Sequence, residues 1–226
     1  MGSNPFNGGA FEYDAFYSTP FGRKLLRLEG RLLEELLKPY RAGPLLEVGC
    51  GTGAWMEFLK GKGFTPVVGV DISLPMVKVA RSKGLEVVVG NATDLPFKNR
   101  SFKASYFVTS LEFIENPLKA LSEAIRVTEK ALLIGFLNRH SLLNLKRRLK
   151  ALLGLKTVYR HARFFTLKEV KELVAKAAAL CGTRVTFEKS LSTLNFTFGN
   201  FAVEPLERLS ERLPTGAFKA ALFRLR

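Results

Sequence analysis

Long apolar runs are missing from this 226-residue chain. None approaches the roughly 18 consecutive apolar residues that a membrane span needs. The first residues, MGSNPFNGGAFEYDAFYS, lack the basic start and apolar stretch of a secretory leader and read as a cloning remnant or disordered tail. Cysteine is scarce as well. Cys50 and Cys181 match no metal-ligand spacing and cannot form a disulfide framework, so no metal is expected and a reduced, cytoplasmic setting is the default. There is no internal repeat and no low-complexity tract.

Acid is missing from one long segment. Between Glu129 and Glu169 there is none, while Lys130, Arg139, Lys146, Arg147, Arg148, Lys150, Lys156, Arg160, Arg163 and Lys168 all fall there. The chain has 35 Lys and Arg against 20 Asp and Glu, a formal charge of +15, so that segment holds about two-thirds of the excess. The basic character is local, and it favours nucleic acid, anionic lipid or a phosphorylated metabolite. The remainder is ordinary globular material, 47% hydrophobic and 24% charged, enough for a single domain over 1–226.

Residues 21–38, FGRKLLRLEGRLLEELLK, space leucines at helical intervals and stop at Pro39, which predicts a helix. Strand-like runs follow at 45–49, 66–70, 86–90, 103–109 and 130–137, with helical patterns at 54–61, 74–83 and 117–127. Continuous apolar strands alternating with helices predict an α/β fold, a parallel sheet covered on both faces. A basic insertion at 139–163 comes next, then a helix at 167–179 and strands at 183–190 and 216–224. No helical crossover joins the last two strands, so they are expected to pair antiparallel at one sheet edge.

The stretch LLEVGCGTGAW, followed by VVGVDIS, carries the chemistry. Gly49, Cys50, Gly51, Thr52, Gly53 and Ala54 satisfy the permissive dinucleotide pattern, with Asp71 at about the distance of a ribose carboxylate. A glycine-rich strand-to-helix turn serves many ligands, because no Cβ blocks approach and the N–H groups point outward. Glu47 narrows the choice. A carboxylate two residues before the first glycine repels a pyrophosphate and suits a ligand carrying an ammonium and a sulfonium. S-adenosylmethionine is such a ligand; a nicotinamide oxidoreductase is the alternative.

The segment EVGCGTG resembles the first motif of class I S-adenosylmethionine-dependent methyltransferases, and VGVDIS their second. GNATDLPFKNRSFKASYFVTSLEFIENPLKALSEAIRV is similar to the stretch that follows in small-molecule enzymes akin to the menaquinone/ubiquinone-biosynthesis methyltransferases. The resemblance covers roughly 11–190. It implies a Rossmann-like, seven-stranded, mostly parallel sheet with helices on both faces and a C-terminal antiparallel hairpin. It also implies roles. Asp71 would accept the ribose hydroxyls, with a helix cap as its alternative role, although Ser73 looks the better cap. Ile72 would pack on adenine. Asn91 and Ala92 stand where the family commonly has Asp-Ala, an amide that still accepts from the exocyclic amine. Thr109 would flank the methionine part, and Cys50 would contribute backbone alone.

Methyl transfer needs alignment and exclusion of water, and a base only where the acceptor must lose a proton. After the fourth strand the chain reads TSLEF, not the Asn-Pro-Pro-Tyr tetrapeptide of amino-group methylation on adenine or glutamine. No Pro-Cys for cytosine C5 chemistry stands there either. Glu112 is the best titratable candidate near the methyl, and His140 the second; His161, among arginines, reads as a surface residue. FEYDAFYSTPFGR resembles an N-terminal lid, which would extend over 11–38, with Tyr13, Phe16 and Tyr17 closing on the cofactor or packing as ordinary core.

The insertion contains a basic amphipathic helix. Leu142, Leu145, Leu149, Leu152 and Leu153 lie near one face, with Lys146, Arg147, Arg148 and Lys150 off it. It is expected to cap the acceptor pocket, its leucines covering an apolar cavity. The cations could instead grip RNA phosphates or an anionic membrane surface. A regulatory subunit that binds S-adenosylmethionine without turnover is the non-enzymatic reading.

Overall fold

The computed structural model describes residues 9–154, 162–195, 197–198, 201–202 and 204–226, without the side chains of residues 150, 197, 198, 201, 202, 204 and 205. The N-terminal segment holds two helices, α1 (Ala10–Ser18) and α2 (Pro20–Leu37). They break at Thr19-Pro20, where the Thr19 hydroxyl accepts from the Gly22 N–H at 3.0 Å and Pro20 occupies the first helical turn.

The αβ alternation then runs β1 (Leu45–Val48), α3 (Ala54–Gly61), β2 (Val67–Asp71), α4 (Leu74–Ser82) and β3 (Glu86–Val89). It continues through β4 (Phe102–Val108), α5 (Pro117–Val127) and β5 (Thr128–Leu137). Next come α6 (Leu142–Leu152), α7 (Leu167–Leu180) and β6 (Val185–Thr193). A two-stranded hairpin, β7 (Thr197–Phe198) with β8 (Phe201–Ala202), and α8 (Glu204–Leu209) precede β9 (Phe218–Leu225). The sequence patterns did not separate that hairpin or α8.

Among the described residues the main sheet has seven strands in the order β3-β2-β1-β4-β5-β9-β6. β1 to β5 are mutually parallel, and β9 runs antiparallel to both β5 and β6. The expected antiparallel pair is therefore present at one edge of the sheet, with β6 outermost and β9 between β5 and β6. The β9 sequence explains this, since six of the eight residues of FKAALFRL are apolar and seven of its eight positions are buried. A strand covered on both faces belongs inside a sheet.

Two cores flank the sheet. On one face α2 buries Leu32, Leu33, Leu36 and Leu37 against Trp55, Met56 and Tyr106. On the other, α5 and α7 cover Phe107, Ile134, Phe136 and Phe223. Each such side chain contributes about 1.5–3 kcal/mol by leaving water. This frame fixes the carboxyl ends of β1, β2, β4 and β5 along one rim.

The basic helix is oriented contrary to expectation. Leu142, Leu145, Leu149, Leu152 and Leu153 are exposed rather than laid over a cavity, and the fold holds the opposite side of the helix. Asn144 is the reason. Its buried amide donates to the carbonyls of Asn138 at 2.9 Å and Ala217 at 2.7 Å, pinning α6 to the end of β5 and the start of β9. A short polar residue committed to two buried carbonyls outweighs a leucine row. His161, Lys156 and Arg160 lie outside the described residues.

Candidate active site

The glycine loop begins where β1 ends. Gly49, Gly51 and Gly53 all have positive φ, at 73°, 54° and 82°. A Cβ at Gly49 would lie 2.5 Å from that of Ser110, so glycine is required there for space as well as conformation. The Gly49 and Cys50 N–H groups donate to the Val70 carbonyl at 2.8 and 3.1 Å, tying the loop to β2. Cys50 is buried, and burial pushes its thiol well up, which leaves it inert and its contribution one of backbone.

Asp71, at the end of β2, braces this turn. One oxygen accepts from the Gly51 N–H and the other from the Ser73 N–H, both at 2.8 Å. Burial raises its pKa, and those backbone donors pull it back down. Asp71 rather than Ser73 thus serves the start of α4: the Ser73 side chain makes no cap bond and its buried hydroxyl has no partner. Each carboxylate oxygen keeps a second lone pair for a further donor. Ile72, next in the chain, is exposed on the rim. Asn91 is exposed, and its side-chain oxygen accepts from the Thr93 N–H at 3.0 Å and hydroxyl at 2.9 Å, so a ligand amine there competes with a turn. Ala92 is half-buried against the core beside it.

Glu47 is fully buried at the end of β1. One oxygen accepts from the Tyr106 hydroxyl at 3.1 Å; the other has no partner. Burial drives its pKa well above the carboxylate range, the tyrosine lowers it, and the Asp71 charge raises it further. The Thr52 hydroxyl is likewise buried and orphaned. Three unpartnered polar groups, on Glu47, Thr52 and Ser73, therefore cluster around one loop, and native interiors leave such groups unpaired when something else is meant to meet them. A ligand bearing both a cation and hydrogen-bonding groups fits that set.

β4 ends in strain. Thr109 has φ 46°, costly for a β-branched residue, and its N–H donates to the Gly135 carbonyl at 2.8 Å. The Ser110 hydroxyl then donates to the Val48 carbonyl at 2.6 Å, locking the two strand ends together. Glu112 follows in a short 3-10 turn, Leu111–Phe113. Its carboxylate is buried, with one oxygen accepting from the Leu137 N–H at 2.6 Å and the other without a partner. Burial raises it to about 7 despite that bond. Glu29 of α2 is buried and feels the Glu112 charge; burial pushes it to about 8, while the Arg147 guanidinium lowers it. His140 is exposed, its backbone N–H on the Asn138 side chain, and is not part of this buried group.

α1 lies over the loop. Tyr13 packs with Ala10, Met76 and Val79, and its ring edge comes 3.5 Å from where a Gly51 Cβ would stand. Its hydroxyl meets that of Tyr17 at 3.2 Å, and Tyr17 packs edge-on against Trp55. Lys83 fastens the arrangement, pairing with Asp14 and with Glu57 and donating to the Thr52 carbonyl at 3.1 Å. Burial lowers the Lys83 pKa, but the bonds to Asp14 and Glu57 outweigh this and raise it. Sequence reasoning missed Glu29, Lys83 and Ser110, which have no local signature, and gave the Thr52 hydroxyl no role.

No group of three or more metal-ligating side chains stands among the described residues, and no described helix is long and apolar enough to cross a membrane.

Comparison with known proteins bears on this geometry. A methyltransferase domain family model matches residues 46–132, which span the loop, Asp71 and Glu112. An uncharacterized protein of Methanocaldococcus jannaschii is 34% identical over 173 residues, 76% of this chain and 78% of that one. Demethylmenaquinone methyltransferase of Paenarthrobacter aurescens is 38% identical over 87 residues, covering 38% of this chain and 34% of its own length. A Thermotoga maritima structure, described as an S-adenosylmethionine-dependent methyltransferase and possible histamine N-methyltransferase, superposes with a TM-score of 0.77. It is 28% identical, and 97% of each chain is covered.

Proposed function

Because the chain belongs to the S-adenosylmethionine-dependent methyltransferases, we propose that it methylates a small acceptor whose nucleophilic atom bears a proton, with Glu112 as the base. S-adenosylmethionine supplies an electrophilic methyl group when bound. Gly49, Gly51 and Gly53 leave room for it, and the backbone of Cys50 completes the loop. Glu47 faces its cationic end, and Asp71 takes the ribose hydroxyls on its free lone pairs. Ile72 and Ala92 hold the adenine, with Asn91 at its edge and Thr109 beside the methionine part. Tyr13 covers the loop and keeps water out.

The observation that carries the acceptor reading is Glu112, a buried carboxylate with one free oxygen at the ends of β4 and β5. With a pKa of about 7 it accepts a proton near neutral pH, where a base is most effective. Glu29, pushed up to about 8, mostly keeps its proton there, so the pair carries at most one charge rather than two. The likeness to the Thermotoga maritima protein, a possible histamine N-methyltransferase, supports an amine as the acceptor class, since an ammonium must lose a proton to become nucleophilic. His140 has no part in this reading.

The test is incubation with methyl-labelled cofactor and fractionated cell extract. Label in a small-molecule fraction supports the proposal. Label in RNA would overturn it, as would cofactor binding with no label transferred to any fraction.

A further inference from the structure

We propose that α6 is an interfacial helix that seats the rim of the active-site cleft on an anionic lipid surface. At about 100° per residue, Leu142, Leu145, Leu149, Leu152 and Leu153 fall within an arc of about 100°. A surface helix ordinarily turns such a stripe toward the core, but here Leu142 and Leu152 are 84% and 81% exposed. The side turned inward is polar apart from Leu143, which packs on the core. It carries Asn144, held on two buried carbonyls, and Arg147, whose guanidinium donates to the Asn144 side chain at 2.9 Å. The orientation is therefore imposed by specific bonds and not by a lack of alternatives.

Charge identifies the occupant. Lys146 borders the leucine arc on one side and Arg148 on the other, within a segment that has no acid from residue 130 to 168. An apolar strip edged by cations matches a bilayer interface, where the strip enters the acyl boundary and the cations meet phosphate headgroups. A second copy of the chain would set like charges against each other along both edges. RNA would need its cations at the centre of the face, where the leucines stand. The helix has 11 residues, too few to span a bilayer, so it lies on the surface. Four residues separate the start of α6 from the end of β5 at Leu137, whose N–H holds Glu112, so docking would bring the lipid surface to the side of the fold where the acceptor site lies. The inference stands on the helix and does not depend on which atom accepts the methyl.

Flotation of the full chain with vesicles tests it. Wild-type protein should float with vesicles of phosphatidylcholine mixed equally with phosphatidylglycerol, should stay behind with phosphatidylcholine alone, and should be released by high salt. Replacing Leu142, Leu149 and Leu152 by Ser together should lower the bound fraction at least tenfold. These side chains are exposed, so the thermal midpoint and S-adenosylmethionine binding should stay at wild-type values. Each of Lys146→Gln and Arg148→Gln should lower partitioning about fivefold. The proposal is overturned by absence of binding to either vesicle, or by binding that survives the leucine changes. A dimer that the leucine changes dissociate, or RNA binding that Lys146→Gln and Arg148→Gln abolish without vesicle binding, would also overturn it.

Discussion

The two halves of the cleft are built differently. The half formed by β1, β2 and the glycine loop is made of near neighbours: Gly51 and Asp71 meet at 2.8 Å across 20 residues, and Asp71 meets Ser73 across two. The half around Glu112 is gathered from afar. Glu29 comes from α2, Leu137 from the end of β5, and Arg147 from a helix hung on Asn138 and Ala217. The first half holds charge with hydrogen bonds ready-made; the second buries two carboxylates and lets their pKa values rise. On the proposed function, the first binds the cofactor and the second moves a proton. Substitutions in each half should therefore move different observables.

The largest effect is expected at Glu112. Glu112→Gln should lower kcat by about 10²–10⁴-fold while leaving the cofactor Kd unchanged. In the wild type, activity should fall tenfold per pH unit below about 7, because the base is lost as it protonates; the variant should lack that limb. An unchanged pH profile would remove Glu112 from the chemistry.

Asp71→Ala should act on the other observable. It removes charge-assisted bonds worth about 1.5–3 kcal/mol each, so calorimetry should show S-adenosylmethionine binding weakened by about 10- to 100-fold. If acceptor KM shifts instead, the division between the halves fails.

Glu29 gives an intermediate effect, on stability. Its folded pKa, about 8, lies above the ordinary 4.5. Its contribution is thus fully present below 4.5 and is lost as pH rises through about 8, by about 1.4 kcal/mol per pH unit between those values. Glu29→Gln should flatten that part of the pH–stability curve and be the more stable protein at the alkaline end. Equal slopes in denaturant titrations would contradict the burial argument.

The smallest effect belongs to α1, which lies over the glycine loop. Partly exposed ion pairs contribute about 0.2–1 kcal/mol, so Lys83→Met should raise the cofactor Kd only about two- to fivefold while speeding proteolysis within α1.

This contrast also explains what the sequence disclosed. The loop, Asp71 and the strand alternation were legible because each is a local pattern with a local cause. The helices at 54–61 and 117–127 were placed to the residue, and Asn116 shows why: its side chain accepts from the Lys119 N–H at 3.0 Å and Pro117 starts the turn. Glu29 looked like one more polar residue on a leucine-rich helix. Only the packed sheet shows that it faces inward. The orientation of α6 was misread because the leucines are visible in the sequence, whereas the Asn144 bonds to Asn138 and Ala217 span up to 73 residues. The insertion of β9 between β5 and β6 is likewise a long-range choice that two apolar runs cannot announce.

The central claim is that Glu47 and the loop are shaped for a cationic adenosyl ligand. Burial pushes the Glu47 carboxyl well above its ordinary range. A cation beside it reverses that, so binding should release a proton. Titrating S-adenosylmethionine calorimetrically at neutral pH, in two buffers of different ionisation enthalpy, measures this directly. The account predicts saturable binding, with an enthalpy that changes with the buffer in the direction of proton release. Glu47→Gln should show no such release and weaker binding. Buffer-independent binding in the wild type, or tighter binding of a nicotinamide dinucleotide, would contradict it.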